Sequence, residues 1–206
     1  AYFAIKKASE PLHIQWNPAT DEVEVVNYSA GTHKGLTAKV QVLNMDASVA
    51  WEKEATVDSN EDTTDKCIKL EFPENLSKVH FIKMTLTEDG KVVSDNFYHR
   101  SLEENNYQDL CQLAKVALQS ATTVDKNADG TWSAVSVIEN KTSTPALMIR
   151  LNVVDGKDDQ QILPVFYSDN YFSLLPGEKK EVRMSWRDED TRGNEGKVLI
   201  TGYNVE

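Results

Sequence analysis

The feature that most constrains this chain is alternation. In "LTAKVQVLNM", residues 36–45, Leu36, Ala38, Val40 and Val42 fall on every second position, with Thr37, Lys39 and Gln41 between them. A period of two is that of a β-strand buried on one face, whereas a helix with this pattern would scatter its apolar side chains around its circumference. "LHIQW", "VEVVNY", "KCIKLEF" and "VHFIKMTL" repeat the pattern. Turn-rich pieces separate them: "NPATDE", "SAGTHKG" and "VDSNEDTTDK". "EDGK" carries an Asp-Gly pair of the kind that closes two-residue hairpins. About seven short strands therefore precede Arg100, with no long helix, which predicts an antiparallel β-sandwich.

"SLEENNYQDLCQLAKVALQS", residues 101–120, interrupts the alternation. Leu110, Leu113, Ala114 and Ala117 form a brief helical stripe in polar, acidic surroundings, so the segment reads as a linker with one or two helical turns. Strand patterns then resume in "TWSAVSVIEN", "PALMIRLNVVD", "KEVRMSW" and "KVLITGYNV", punctuated by "DKNADG", "ENKTSTP" and "GKDDQ". The length of 206 residues accommodates two such units. The expected organisation is all-β: two tandem antiparallel sandwiches, residues 1–104 and 105–206, the second opening on the linker.

Two near-identical pentads, "SDNFY" from Ser94 and "SDNYF" from Ser168, raise the question of duplication. The first closes the first domain and the second falls in mid-domain, so they are not a repeat in register. Ser, Asp and Asn fold turns through bonds to their own backbone, and both pentads are read as turns that lead aromatics into strands. In "SLLPGEKK", Pro176 and Gly177 fit the central positions of a type II turn, a feature common in immunoglobulin-like domains.

The formal net charge of −11 repels phosphate backbones and anionic lipid, which argues against nucleic-acid partners and membrane insertion. Cys67 and Cys111, assigned to different domains, read as idle buried thiols, and no zinc-binding spacing occurs. The acidic groups Glu22/Glu24, Glu103/Glu104, Asp158/Asp159 and Asp188-Glu189-Asp190 read as solvated turn charges. "DKNADG" matches half of a calcium loop, but Ser136 stands where a bidentate Glu is needed, and a hairpin turn is favoured. His13, His33, His80 and His99 are scattered, with no Ser-His-Asp arrangement. The sequons at Asn27, Asn75 and Asn140 are read as chance products of polar turns. Trp16, Trp132 and Trp186 lie in strands and read as core, while Trp51 sits in a more polar stretch. No catalytic residue, cofactor or metal is assigned.

The opening "AYFAIKKASEPLHIQWN" lacks an initiator Met and a signal-peptide core and reads like the middle of a longer chain. With "VSDNFYHRS", "NYQDLCQL" and "FYSDNYFSLLPGE" following in that order, it resembles the C-terminal part of glycoside hydrolase family 2 enzymes. The branch is that of exo-β-D-glucosaminidases and β-mannosidases, including mannosylglycoprotein endo-β-mannosidases. The resemblance implies two immunoglobulin-like sandwiches that follow a (β/α)8 barrel. It places both catalytic carboxylates of a retaining mechanism on that barrel, outside this sequence. It implies the barrel and other parent domains as partners, an oligosaccharide as a further one, and a periplasmic or secreted location. Trp51, Tyr98 and His99 are the candidates for carbohydrate or interdomain contact; His99 stands where relatives usually have Trp. Two other readings remain: a free-standing carbohydrate-binding module, with sugar affinity resting on Trp51, and an extracellular adhesion or spacer module.

Overall fold

The computed structural model describes residues 2–206, which divide into two compact units, one through Gln112 and one from Leu113. The division falls later than Glu104 because the chain after the last strand of the first unit folds back on it. Tyr107 Oη donates to His99 O (3.4 Å), Glu103 pairs with Lys78 (2.9 Å), and the short 3-10 helix Gln108–Gln112 is the helical turn of the linker. Cys67 and Cys111 consequently share the first unit, and Cys111 is exposed rather than buried.

The first unit opens on a short helix that the strand pattern did not announce, α1 (Tyr2–Ala8). Seven strands follow: β1 (Leu12–Asn17), β2 (Glu22–Asn27), β3 (His33–Asn44), β4 (Val49–Ser59), β5 (Thr63–Lys69), β6 (Val79–Glu88) and β7 (Lys91–Ser101). They make two antiparallel sheets, β1-β2-β5 and β4-β3-β6-β7. Alternation decides which face is buried: Leu36, Val40 and Val42 of β3 and Ile82, Met84 and Leu86 of β6 meet Ile14, Val23, Val25 and Ile68 of the other sheet. Complete burial of each such aliphatic side chain stabilises the fold by roughly 1.5–3 kcal/mol before entropy is counted. Asp89 and Gly90, both at positive φ (49° and 75°), close the β6–β7 hairpin as a two-residue turn whose twist matches its strands.

The second unit contains β8 (Gln119–Lys126), β9 (Thr131–Glu139), β10 (Ala146–Asp155), β11 (Phe166–Tyr167), β12 (Phe172–Leu174), β13 (Lys179–Arg187) and β14 (Gly196–Thr201). Its sheets are β12-β10-β14 and β11-β13-β9-β8. Ile138, Ile149, Leu151, Val153, Val182 and Trp186 fill the core between them. Trp186 pairs across strands with Trp132, the rings parallel within 4° and 6.4 Å apart. At the start of β13, Gly177 (φ 80°) completes the type II turn, and Glu178 N donates to Leu175 O (3.0 Å). Among the described residues no helix is long and apolar enough to cross a membrane.

The pentads are ties between sheets. The first is not a turn, because residues 94–98 lie inside β7. There Ser94 Oγ accepts from Ile14 N (3.2 Å) and Asn96 Nδ2 donates to Ile14 O (3.2 Å), joining β7 to β1 of the opposite sheet. In the second, Ser168 N donates to Arg183 O (2.8 Å) and Ser168 Oγ accepts from Arg183 N (2.9 Å), on one sheet. Two residues later Asn170 accepts from Leu151 N (2.8 Å) and donates to Leu151 O (2.9 Å), on the other. "SDN" thus carries the chain from β11 across to β12 while small polar side chains replace the missing ladder bonds.

A different motif recurs in register. Asn27 ends β2 and Asn140 follows β9, each the second strand of its unit, and both side chains are fully buried. Asn27 donates to Gly31 O (3.1 Å) and Ser59 O (3.2 Å) and accepts from the N–H (2.9 Å) and hydroxyl (2.6 Å) of Ser29. Asn140 donates to Thr144 O (2.8 Å) and Leu174 O (3.0 Å) and accepts from the N–H (3.1 Å) and hydroxyl (2.7 Å) of Thr142. Two of the three sequons are therefore loop clamps that need Ser or Thr two residues on, not accidents of polar turns; Asn75 is exposed in a turn.

Candidate functional site

Trp51, Tyr98 and His99 are not brought together. Trp51 pairs with Val42, Val42 with Ile82 and Ile82 with Tyr98, so Trp51 and Tyr98 lie at opposite edges of one row facing the first core. Tyr98 Oη accepts from Asn96 Nδ2 (3.1 Å), its ring meets Trp16 edge-on (5.8 Å), and burial raises its phenol pKa. His99 is on the other face of β7, edge-on to Phe81 and Phe97 (5.4 Å each). These contacts are those of packing.

Burial holds the His99 pKa below its ordinary value. His80, wholly buried, is lowered as well, by burial first and by the neighbouring Arg100 second. Its Nε2 accepts from Arg100 Nη1 (3.1 Å), and Nδ1 donates to Ser77 O (3.2 Å). A folded-state pKa below the unfolded one means that the unfolded chain binds more protons below about pH 6.5, so stability falls as pH drops from there toward the lowered values. We expect the urea midpoint to fall between about pH 7.5 and about pH 5.5, and His99→Phe to reduce that fall. An unchanged pH dependence in the variant would refute the assignment to His99.

One constellation has the geometry of an acyl-transfer triad, and with Glu88 55 residues beyond His33 the sequence gave no sign of it. Ser29 Oγ lies 2.8 Å from His33 Nε2, and His33 Nδ1 lies 2.7 Å from Glu88 Oε1. The hydroxyl also donates to the Asn27 side-chain oxygen Oδ1 (2.6 Å), as that of Thr142 does to Asn140 Oδ1 (2.7 Å) in the second unit without any histidine. The nearby loop N–H of Gly31 is taken by Glu61 Oε2 (2.8 Å). The arrangement locks the loop between β2 and β3 onto the β6–β7 hairpin.

Some of the acidic groups are similarly occupied, although Asp190 Oδ2 is buried without a hydrogen-bond partner among the described residues. Glu24 corrects the expectation of a solvated turn charge: it is buried in β2, accepting from Gln15 Nε2 and Asn17 Nδ2 (3.0 Å each). Asp188 accepts from Lys126 Nζ (2.8 Å) and Trp132 Nε1 (2.7 Å), and these donors, Lys126 foremost, lower its pKa. It borders a shallow depression with Asp129, Gly130, Thr131, Arg187 and Glu189. In the "DKNADG" hairpin, Asp129 accepts from the Thr131 hydroxyl (2.6 Å) and N–H (3.0 Å), which lowers its pKa too. Among the described residues no group of three His, Cys, Asp or Glu is placed to hold a metal ion. Burial raises the Cys67 thiol to about 11, leaving it a poor nucleophile at neutral pH.

Comparison with known proteins accounts for a chain built of packing and clamps. Residues 21–101 match the mannosidase Ig/CBM-like domain and residues 96–205 the exo-beta-D-glucosaminidase Ig-fold domain. An exo-beta-D-glucosaminidase of Streptomyces avermitilis is 32% identical across 100% of this chain, which covers 25% of that protein. One from Hypocrea jecorina is 28% identical, with the same coverage. The crystal structure of an Amycolatopsis orientalis exo-chitosanase superimposes with a TM-score of 0.91 at 28% identity, over 100% of this chain and 27% of that one. A β-D-mannosidase from Dictyoglomus thermophilum shares the fold at a TM-score of 0.67 and 15% identity. The chain thus spans about a quarter of the length of these relatives. With more than half of its residues, 96–205, matched to that one domain family, this chain belongs to the exo-beta-D-glucosaminidase Ig-fold domain family, its residues 21–101 matching the mannosidase Ig/CBM-like domain.

Proposed function

We propose that this chain is the non-catalytic accessory pair of a retaining β-glycosidase of the exo-β-D-glucosaminidase kind, bracing a catalytic barrel that carries the reacting carboxylates. The observation that carries this reading is the match along the whole chain to proteins named for that activity, of which it spans a quarter. Hydrolysis of a glycosidic bond takes two carboxyls held on either side of a sugar. The buried Glu24 is tied to side-chain amides, and Asp188 and Asp129 to donors of their own hairpin and strands. A terminal β-D-glucosaminide is the proposed substrate of the parent protein, with a β-mannoside as the competing specificity suggested by residues 21–101. The periplasm or the cell exterior, where polysaccharides are met, is the proposed location.

The test starts with the native polypeptide, detected in source-cell fractions with an antibody against this segment. We expect a band about four times the 23.2 kDa of this chain, outside the cytoplasm, and release of glucosamine rather than mannose from aryl β-glycosides by the purified protein. A band at the chain's own size would overturn the accessory reading. Sugar binding lost in Trp51→Ala would then favour the free-standing module.

A further inference from the structure

The sheet β12-β10-β14 of the second unit has an outer face unlike the rest of the surface. Ile149, Leu151 and Val153 of β10 and Val198 and Ile200 of β14 point into the core, so Arg150, Asn152, Leu199 and Thr201 point away from it. Met148, Tyr171, Leu199 and Tyr203 are exposed around this face, at 45%, 48%, 36% and 46%. They are neighbours through the backbone: Tyr203 N donates to Leu147 O (2.9 Å), Met148 N to Ser173 Oγ (3.4 Å), and Ile149 pairs with Phe172.

Two further observations give the face its meaning. Met148 (φ 52°) and Tyr171 (φ 60°) are both held in the left-handed region, where bulky residues are strained, and Met148 sits in a bulge of β10. Strain of this kind concentrates where a side chain is being aimed. On a chain of net charge −11, the strands "FSL", "ALMIRLNVVD" and "GKVLIT" carry one carboxylate, Asp155, and it is buried. One ion pair does stand on this side, Lys197 of β14 with Asp159 (2.6 Å), where Lys197 pairs with Val154, six positions along β10 from Met148; β13 of the opposite sheet displays Arg183–Glu181 and Arg187–Glu189. Tyr, Met and Arg with acidic residues withdrawn is the composition of a protein interface core.

We propose that this face, centred on Met148, Tyr171 and Tyr203, docks against the part of the parent polypeptide lying outside these 206 residues. The partner surface is apolar and brings a carboxylate for Arg150. The proposal rests on the accessory reading above. About three quarters of the relatives' length lies beyond the matched region, which supplies a tethered partner, and strands that contribute no exposed carboxylate around Arg150 suit one that carries its own.

The four methionines, 45, 84, 148 and 184, provide the probe. In the full-length native protein, dilute peroxide transfers one oxygen to each accessible thioether and leaves water, and peptide masses report the rates. Met184 is 3% exposed in its core, against 45% for Met148. Docking predicts that Met148 oxidises as slowly as Met184. Oxidation of Met148 several-fold faster than Met184 in the long polypeptide overturns the docking proposal and leaves the accessory reading standing. Protection that appears only when glucosamine oligosaccharides are added overturns it in favour of a glycan surface. A native polypeptide of only this chain's size removes both readings.

Discussion

Asn140→Ala will destabilise the second unit by about 3–5 kcal/mol. The side chain satisfies three backbone groups, the carbonyls of Thr144 and Leu174 and the N–H of Thr142, at a position with no solvent exposure. Each buried group left unpaired costs about 1–3 kcal/mol, and alanine supplies no replacement. Asn140→Asp is the sharper variant: it keeps size and the acceptor for Thr142 but turns a carboxylate toward two carbonyl oxygens, so at neutral pH the loss is at least as large. Urea unfolding followed by tryptophan fluorescence, with Trp132 and Trp186 reporting on this unit, measures it. Asn27→Ala should act alike on the first unit, while Asn75→Ala at the exposed sequon stays within about 0.5 kcal/mol. A loss below about 1 kcal/mol at Asn140 would mean that the clamp holds nothing that water cannot.

These asparagines also mark the limit of what the sequence discloses. Alternation is a local property, so strand number, the Asp89-Gly90 hairpin and the Pro176-Gly177 turn were legible from neighbouring residues alone. The clamps act over distance. Nothing near Asn27 announces Ser59, nor does anything near Asn140 announce Leu174, because those partners arrive only when the sheets close. The recurrence of N-x-[ST] after the second strand of each unit was on view, but a sequon has a ready explanation as chance. The pentads misled in the opposite direction: their identity suggested a shared turn, whereas one is a mid-strand tie and the other a crossing between sheets.

The candidate residues were less legible than the fold. Trp51, in a polar stretch of β4, was expected outside, yet its pairing with Val42 turns it to the core side, because alternation along β4 outweighs the polarity of its neighbours. Ser29, His33 and Glu88 met unannounced. They show why triad geometry must be weighed against each hydroxyl's other bonds, since Asn27 competes for the same proton. Met148 and Tyr171 could not have been found at all: a positive φ at a bulky residue leaves no trace in composition or periodicity.

The second large effect is expected at Trp186, the bulkiest fully buried side chain of the second core. Trp186→Ala should cost about 3–5 kcal/mol, the transfer loss plus the cavity left behind. Its Nε1 is buried with no hydrogen-bond partner, whereas that of Trp132 donates to Asp188. Trp186→Phe therefore breaks no polar bond and should be milder than the alanine variant, while Trp132→Phe strips a donor from Asp188 and raises that carboxyl's pKa. Gly196 extends the test, because a Cβ there would lie 2.7 Å from Trp186 Cζ2. Gly196→Ala alone forces the indole aside and should cost about 1–3 kcal/mol. In the Trp186→Phe background the smaller ring leaves room, and most of that cost should vanish. Thermal unfolding of the four proteins in this double-mutant cycle decides the matter. Additive losses would show that the indole and the glycine do not share the space that their close approach implies.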